Sequence, residues 1–217
     1  MKYKIFAGTC IVLVAIFAGT AFYYKSQEAK KLNFLAQNNA AIFIRDHSAT
    51  LGSSDAKVFL VEFMDPACET CAAFSPLVKQ IMAANPGKIK LVLRYAPFHE
   101  GADYFVKILE ASKKQDKYWE TLDVMFKSQS KWTSHHKALP EKVWPILLNA
   151  GLDIEKLKKD MKDPAIDKII EQDLADAKTL NVRKTPGYFV NGVSLVSKGF
   201  GRQQLYDLIQ AEIKEQY

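Results

Sequence analysis

KVFLVEFMDPACETCAAF, residues 57–74, reads as a strand, a short loop and the first turn of a helix. Val58, Phe59, Leu60, Val61 and Phe63 are β-branched, aromatic or aliphatic in near-unbroken succession, the pattern of a covered strand. Asp65-Pro66 ends it, and Cys68 and Cys71 stand where the helix opens. A thiol at a helix N-terminus faces N–H groups that have no partner inside the helix, and the positive end of the dipole. Its thiolate is therefore favoured. The second cysteine lies one turn on, close enough to close a small disulfide ring. This is the arrangement of a redox pair that opens and closes.

Three other readings of Cys-x-x-Cys compete. A structural zinc site needs four ligands. The third cysteine, Cys10, lies in an apolar N-terminal run, and the adjacent pair His135-His136 has the wrong spacing. Attachment of a c-type haem needs His directly after the second Cys, where this chain has Ala72. Two inert buried thiols are the plainest alternative, and a strand-to-helix junction is a poor place for them. No metal site is assigned.

At 217 residues the chain has room for one sizeable domain, or a domain with an insertion. Eight Pro and ten Gly argue against a low-complexity or disordered chain. Lys2 and Lys4 carry two units of the +6 net charge, and the remaining bases are interleaved with acids, as in KKQDKYWE and EKLKKDMKD. Such stretches are solvated helix faces, and no nucleic-acid partner is expected.

Lysines precede residues 5–24, IFAGTCIVLVAIFAGTAFYY, a run of about 20 residues without a charge. That length spans a bilayer, and the leading lysines keep the N-terminus in the cytoplasm. The expectation is an uncleaved signal anchor in the inner membrane, with the catalytic domain in the periplasm or another extracytoplasmic space. A cleavable signal peptide is the alternative, since Gly19-Thr20-Ala21 forms a small-x-small site and would release a secreted periplasmic protein. Outside the cytoplasm a disulfide can persist.

Residues 25–50 read as a stalk or linker that carries Phe34, Leu35, Ile42, Phe43 and Ile44. Gly52-Ser53-Ser54-Asp55 is a turn before the central strand. The helix after Cys71 is expected to run to about Ala84, with a kink at Pro76, and Asn85-Pro86-Gly87 ends it. KIKLVLRY, residues 88–95, is a second strand, which completes a βαβ unit. Residues 99–179 show helical spacing throughout. Two short apolar runs joined by Asn191-Gly192 then form a hairpin, and residues 201–217 a last amphipathic helix. The fold class is α/β: a thioredoxin-type βαβ plus ββα, residues 51–98 and 180–217, with an inserted all-helical subdomain at 99–179.

With these motifs in place, the sequence resembles the DsbA-like branch of the thioredoxin superfamily over residues 47–217. The resemblance rests on Glu62 six residues before the first Cys, CETC at the strand–helix junction, the helical insertion, and Thr185-Pro186 before the hairpin in KTPGYFVNG. It implies a thiol-disulfide oxidoreductase acting on protein thiol and disulfide substrates, with a membrane redox partner that resets the pair. It implies no dissociable cofactor, because the redox group is the Cys68–Cys71 disulfide itself. It also implies that Pro186 is cis beside the cysteines and that Thr185 helps set substrate contact. The chain departs from the strongly oxidising members at Glu69-Thr70, where they have Pro-His, and at Lys184, where Gly is common.

Cys68 is expected to be the partly exposed nucleophile and Cys71 the covered resolving thiol. Glu62, in an apolar strand, is expected to be desolvated, with a raised pKa, and to exchange a proton with Cys71. Asp65 and Glu69 bring negative charge near Cys68 and are expected to leave its thiolate less stable than in DsbA, so the pair is a weaker oxidant. His99 is a candidate neighbour of the thiolate; His47, His135 and His136 are expected at the surface. Oxidase and reductase or isomerase directions both stay open, as does oligomeric state. A reading from another class is a soft-metal module holding Cu(I) through the two thiolates, with Met64 as the nearest further ligand.

Overall fold

The computed structural model describes residues 13, 14, 16–24, 26, 40–134 and 137–217. Residues 16–24 are helical, and among the described residues no helix is long and apolar enough to cross a membrane. The start of the expected anchor with Cys10, the stalk residues Phe34 and Leu35, and His135-His136 lie outside the described residues.

The lead strand β1 (Ala49–Gly52) is followed by β2 (Val58–Met64), helix α1 (Glu69–Ala84) and β3 (Ile89–Tyr95). The insertion contributes α2 (Ala102–Lys113), α3 (Tyr118–Lys127), the short α4 (Gln129–Trp132), β4 (Thr133–Ser134), β5 (Lys137–Ala138), the short α5 (Trp144–Leu147), α6 (Ile154–Asp160) and α7 (Pro164–Thr179). The chain closes with β6 (Gly187–Val190), β7 (Val193–Ser194) and α8 (Arg202–Gln216). The small β4–β5 pair stands beside the expected helices, and α1 continues through Pro76. The second arm of the final hairpin is short, because a 3-10 turn takes over at Leu195–Lys198.

The main sheet has the order β1-β3-β2-β6-β7. The β2–β3 pair is parallel, as a βαβ crossover demands, and the other pairs are antiparallel. Because strand side chains alternate, β2 feeds two cores. Val58, Leu60 and Met64 join α1, α8 and most of the insertion; Val61 and Phe63 join Ile42, Phe43, Ala177 and Leu180 on the other face. Burial on both faces explains why β2 and β3 read as continuous apolar runs. The hairpin turn places Asn191 and Gly192 at φ 47° and 82°, the positive values its tight two-residue form needs.

Arg94, on β3, is fully buried and anchors α7 to the sheet. Its guanidinium donates to Asp173 Oδ1 at 2.6 and 2.9 Å, to Asp176 Oδ2 at 2.6 Å and to the Ile42 carbonyl at 2.8 Å. Asp173 also accepts from the Tyr95 N–H at 2.7 Å, and Arg45 pairs with Asp176 at 2.8 Å. His47, expected at the surface, is half-buried with Nε2 2.7 Å from Asp173. The reason is that the chain entering β1 crosses this cluster, so the ring completes the coordination of a buried carboxylate. Removing one partner of a buried charge pair strands the other. Asp173→Ala is expected to lower unfolding free energy by about 3–5 kcal/mol in urea titration; a loss below about 1 kcal/mol would show that the cluster contributes little.

Candidate active site

Cys68 is the N-cap residue of α1, and its φ of −76° and ψ of 117° lie just outside the helix. Its N–H donates to the Asp65 carbonyl at 3.0 Å, which folds the loop after β2 into a turn that delivers the sulfur to the helix end. Both cysteines are free thiols. Cys71, one turn inside α1, is 0 % exposed and packs in the core with Phe74 and Val78.

Cys68 is also buried, at 6 % exposed, which corrects the expectation of a partly exposed sulfur. The Thr185 carbonyl lies 3.3 Å from its Sγ, within the loop that carries the cis Thr185-Pro186 peptide. From the other side the carboxamide of Gln129, on α4, donates to the carbonyls of Pro66 at 2.8 Å and Cys68 at 3.1 Å. Gln129 is not legible in the sequence: one glutamine in a helical insertion gives no signal of reaching another element. Gly187 lets the same loop close, since a Cβ there would meet a Val182 methyl at 2.7 Å.

The two thiols are driven apart in acidity. A hydrogen bond from the Cys71 thiol is the largest influence on Cys68. Burial opposes it, and the Thr185 side chain and the Thr70 and Cys71 N–H groups add to it, so the Cys68 pKa falls to about 6. No side-chain cap hydrogen bond of ordinary geometry reaches the neutral thiol, so these N–H groups act on the anion when it forms. Burial pushes Cys71 well above its ordinary range, and its bond to Cys68 and the nearby Glu62 charge push the same way.

Glu62 sits mid-strand, 5 % exposed, and pairs with Leu93 on one side and Tyr188 on the other. Burial raises its carboxyl to about 8; the Tyr188 hydroxyl favours the charged form and Cys68 disfavours it. The Tyr188 Oη has no hydrogen bond of ordinary geometry among the described residues, so we read it as a polar neighbour rather than a fixed donor. Beside Glu62 is a cavity of about 20 Å³, bordered by Ser75, Val78 and Leu93, with room for one water. Tyr188 follows Pro186 by two residues, and only the β2–β6 register, invisible in the sequence, sets it opposite Glu62.

Asp65 does not stand as a screened charge beside Cys68. It is fully buried and accepts from the N–H groups of Ala67, Phe98 and His99 at 2.7–2.8 Å and contacts His99 Nδ1 at 2.7 Å. Its carboxylate laces the loop after β2 to the loop after β3, which is why so short a loop buries an acid. Glu69 lies exposed in the first turn of α1, with Thr70 half-buried behind it. Met64 is fully buried, in the same core cluster as the two cysteines.

A parallel βαβ unit and an antiparallel hairpin, with a dithiol at the helix start and a cis proline beside it, define a thioredoxin-type fold carrying a dithiol site. The sequence model described as Thioredoxin matches residues 45–211, and the chain belongs to that family. Solved DsbA-like structures share its architecture. It is 28% identical over 217 residues to the probable disulfide bond formation protein D of Bacillus anthracis, covering 94% of this chain and 93% of that protein. A solved thioredoxin-like oxidoreductase from Silicibacter pomeroyi DSS-3 is 28% identical, with a TM-score of 0.69 over 82% of this chain and 98% of that one. The chain is also 30% identical over 141 residues to the Na(+)/H(+) antiporter NhaA of Herminiimonas arsenicoxydans; the match covers 65% of this chain and 22% of the antiporter's length.

Titration of the reduced protein by the ultraviolet absorbance of thiolate is expected to show one group with a midpoint near 6, lost in Cys68→Ser. Reactivity toward an alkylating agent follows the same curve and falls as pH drops below 6. A midpoint at 8 or above would contradict the hydrogen-bonded thiolate.

Proposed function

We propose that the chain is a DsbA-like thiol:disulfide oxidoreductase that exchanges disulfides with proteins outside the cytoplasm through Cys68 and Cys71. One arrangement carries this reading: an N-cap sulfur beside the cis Thr185-Pro186 peptide, with a second, covered thiol one turn inside the same helix, a setting that draws the first thiol down to about 6 and pushes the second up. Inert thiols have no use for such a difference in acidity.

In the reducing direction the Cys68 thiolate attacks a substrate disulfide. A Cys68–substrate bond forms and one substrate sulfur leaves as thiolate. Cys71 then gives its proton to Glu62 and attacks the Cys68 sulfur. The Cys68–Cys71 disulfide closes, and the second substrate sulfur leaves. The substrate gains two electrons and the protein loses them; the oxidising direction reverses each step. Glu62 suits the transfer because a carboxyl with its pKa near 8 gains and loses protons around neutral pH. Extended substrate backbone is proposed to pair beside Thr185, as an added edge strand.

Among Cys-x-x-Cys oxidoreductases the pKa of the reactive thiol runs from about 3.5 in DsbA to about 7 in thioredoxin. A Cys68 value near 6 lies toward the weaker end, so we place this pair among the less oxidising members, with a membrane redox partner to reset it. Lys2 and Lys4 before the apolar run support an inner-membrane anchor and an extracytoplasmic domain.

The test is covalent trapping. Cys71→Ser is expected to accumulate a mixed disulfide between Cys68 and an insulin or peptide disulfide substrate, and Cys68→Ser none. Glu62→Gln in the otherwise intact protein should slow release of that intermediate at neutral pH by about tenfold or more. Equal trapping by both cysteine variants rejects the assigned roles, and an unchanged release rate rejects Glu62 as the proton acceptor.

A further inference from the structure

From Ala177 to Tyr206 the chain runs thirty residues without a carboxylate, and the stretch carries Lys178, Arg183, Lys184, Lys198 and Arg202. Residues 70–99 form a second run of thirty without a carboxylate, so what sets the 177–206 stretch apart is its place beside the reactive sulfur. One loop of this stretch borders the dithiol, and the other lies on the helix that carries it. Arg183 and Lys184 immediately precede Thr185, whose carbonyl lies 3.3 Å from the Cys68 sulfur. The second loop rests on α1: the Phe200 ring is 5.4 Å from that of Phe74, and Arg202 donates to the Ala73 carbonyl at 2.9 Å.

The four side chains Arg183, Lys184, Lys198 and Arg202 are exposed. Among the described residues none of them makes an ion pair, whereas lysines on the insertion do so repeatedly, as in Lys107–Asp167, Lys114–Asp163 and Lys156–Asp160. Arg183 is steadied by the Asn181 side-chain oxygen at 2.6 Å, a neutral partner that leaves its charge unbalanced. Phe200, 49 % exposed, and Val196, 65 % exposed, lie among these cations. The border is therefore one-sided: cations with apolar surface along the 183–202 loops, and the exposed Glu69 at the start of α1.

We propose that this rim selects substrates, favouring disulfides or thiols whose flanking segment is acidic. The inference rests on the oxidoreductase reading above and specifies its substrate class. Unpaired cations beside a reactive group raise the local concentration of anionic segments and speed their encounter, and salt weakens the effect. The same cations would attract an anionic lipid surface. The position of Arg183 and Lys184 on the loop that touches the reactive sulfur favours a substrate chain instead, since contact with lipid there would cover the nucleophile.

The experiment compares kcat/KM of the full chain for three disulfide peptides of equal length, flanked by Glu, Gln or Lys. At low ionic strength, about 0.02 M, the Glu peptide is expected to be preferred over the Lys peptide by about tenfold. The preference should shrink toward parity at about 0.5 M salt. The double variant Arg183→Glu/Lys198→Glu should reverse it, and because this is a ratio within one preparation, a partly misfolded fraction cancels. Equal rates for the three peptides, or a ratio unmoved by the double variant, overturn the inference. So does a double variant that loses binding to phosphatidylglycerol vesicles while its peptide ratio stays flat, which would assign the rim to the membrane. Turnover of none of the three peptides would instead strike the oxidoreductase reading itself.

Discussion

The charge that forms on the Cys68 sulfur is held by hydrogen bonds at a helix end, with the Cys71 thiol as the donor of largest effect. Everything around the site serves to keep that sulfur and those donors in register. The donors are a thiol and backbone N–H groups on the same turn, fixed once α1 starts at Glu69, together with the Thr185 side chain brought in by the cis-proline loop. Stabilising an anion this way needs no reorganisation when the charge appears, which suits a group that must gain and lose charge in each cycle.

Fixing that start depends on groups remote from the sulfur in sequence. Asp65 ties the loop after β2 to the N–H groups of Phe98 and His99, and Gln129 ties the carbonyls of Pro66 and Cys68 to the insertion. On the opposite face Arg94 holds α7 and the entering chain against β3. Each is a buried polar group whose partners come from another segment, so each is worth most when the whole domain is assembled. Glu62 differs. No cation lies opposite it on either neighbouring strand, where Leu93 and Tyr188 stand, so its carboxyl stays hard to ionise and remains available to hold a proton.

The central strand, the helix that begins at the cysteines, the parallel return strand and the Asn191-Gly192 hairpin are all legible in the sequence, because each depends on local pattern: side-chain period, a helix cap, a turn residue. Burial of Glu62 is legible for the same reason, as one acid in an apolar run. What local pattern cannot carry is pairing across segments. Asp65 looks like an exposed loop acid until the Phe98–His99 backbone is seen to reach it. His47 looks like a surface residue until Asp173, 126 positions away, is placed against it. Gln129 and Tyr188 acquire meaning only from packing and register. The burial of Cys68 escapes a local reading because its cover comes from Thr185, on the far side of the insertion.

The reduction potential of the Cys68–Cys71 pair, measured by equilibrating the protein with glutathione buffers, is the most direct test of how this thiolate is held. A sulfur held by one thiol donor, the Thr185 side chain and the helix end, with its pKa near 6, should leave the dithiol only moderately favoured. Between the thioredoxin and DsbA extremes of about −270 and −120 mV, the expected value lies in the lower half of the range. A potential at or above about −150 mV would contradict it, because the thiolate would then have to be stabilised far more strongly than these donors allow.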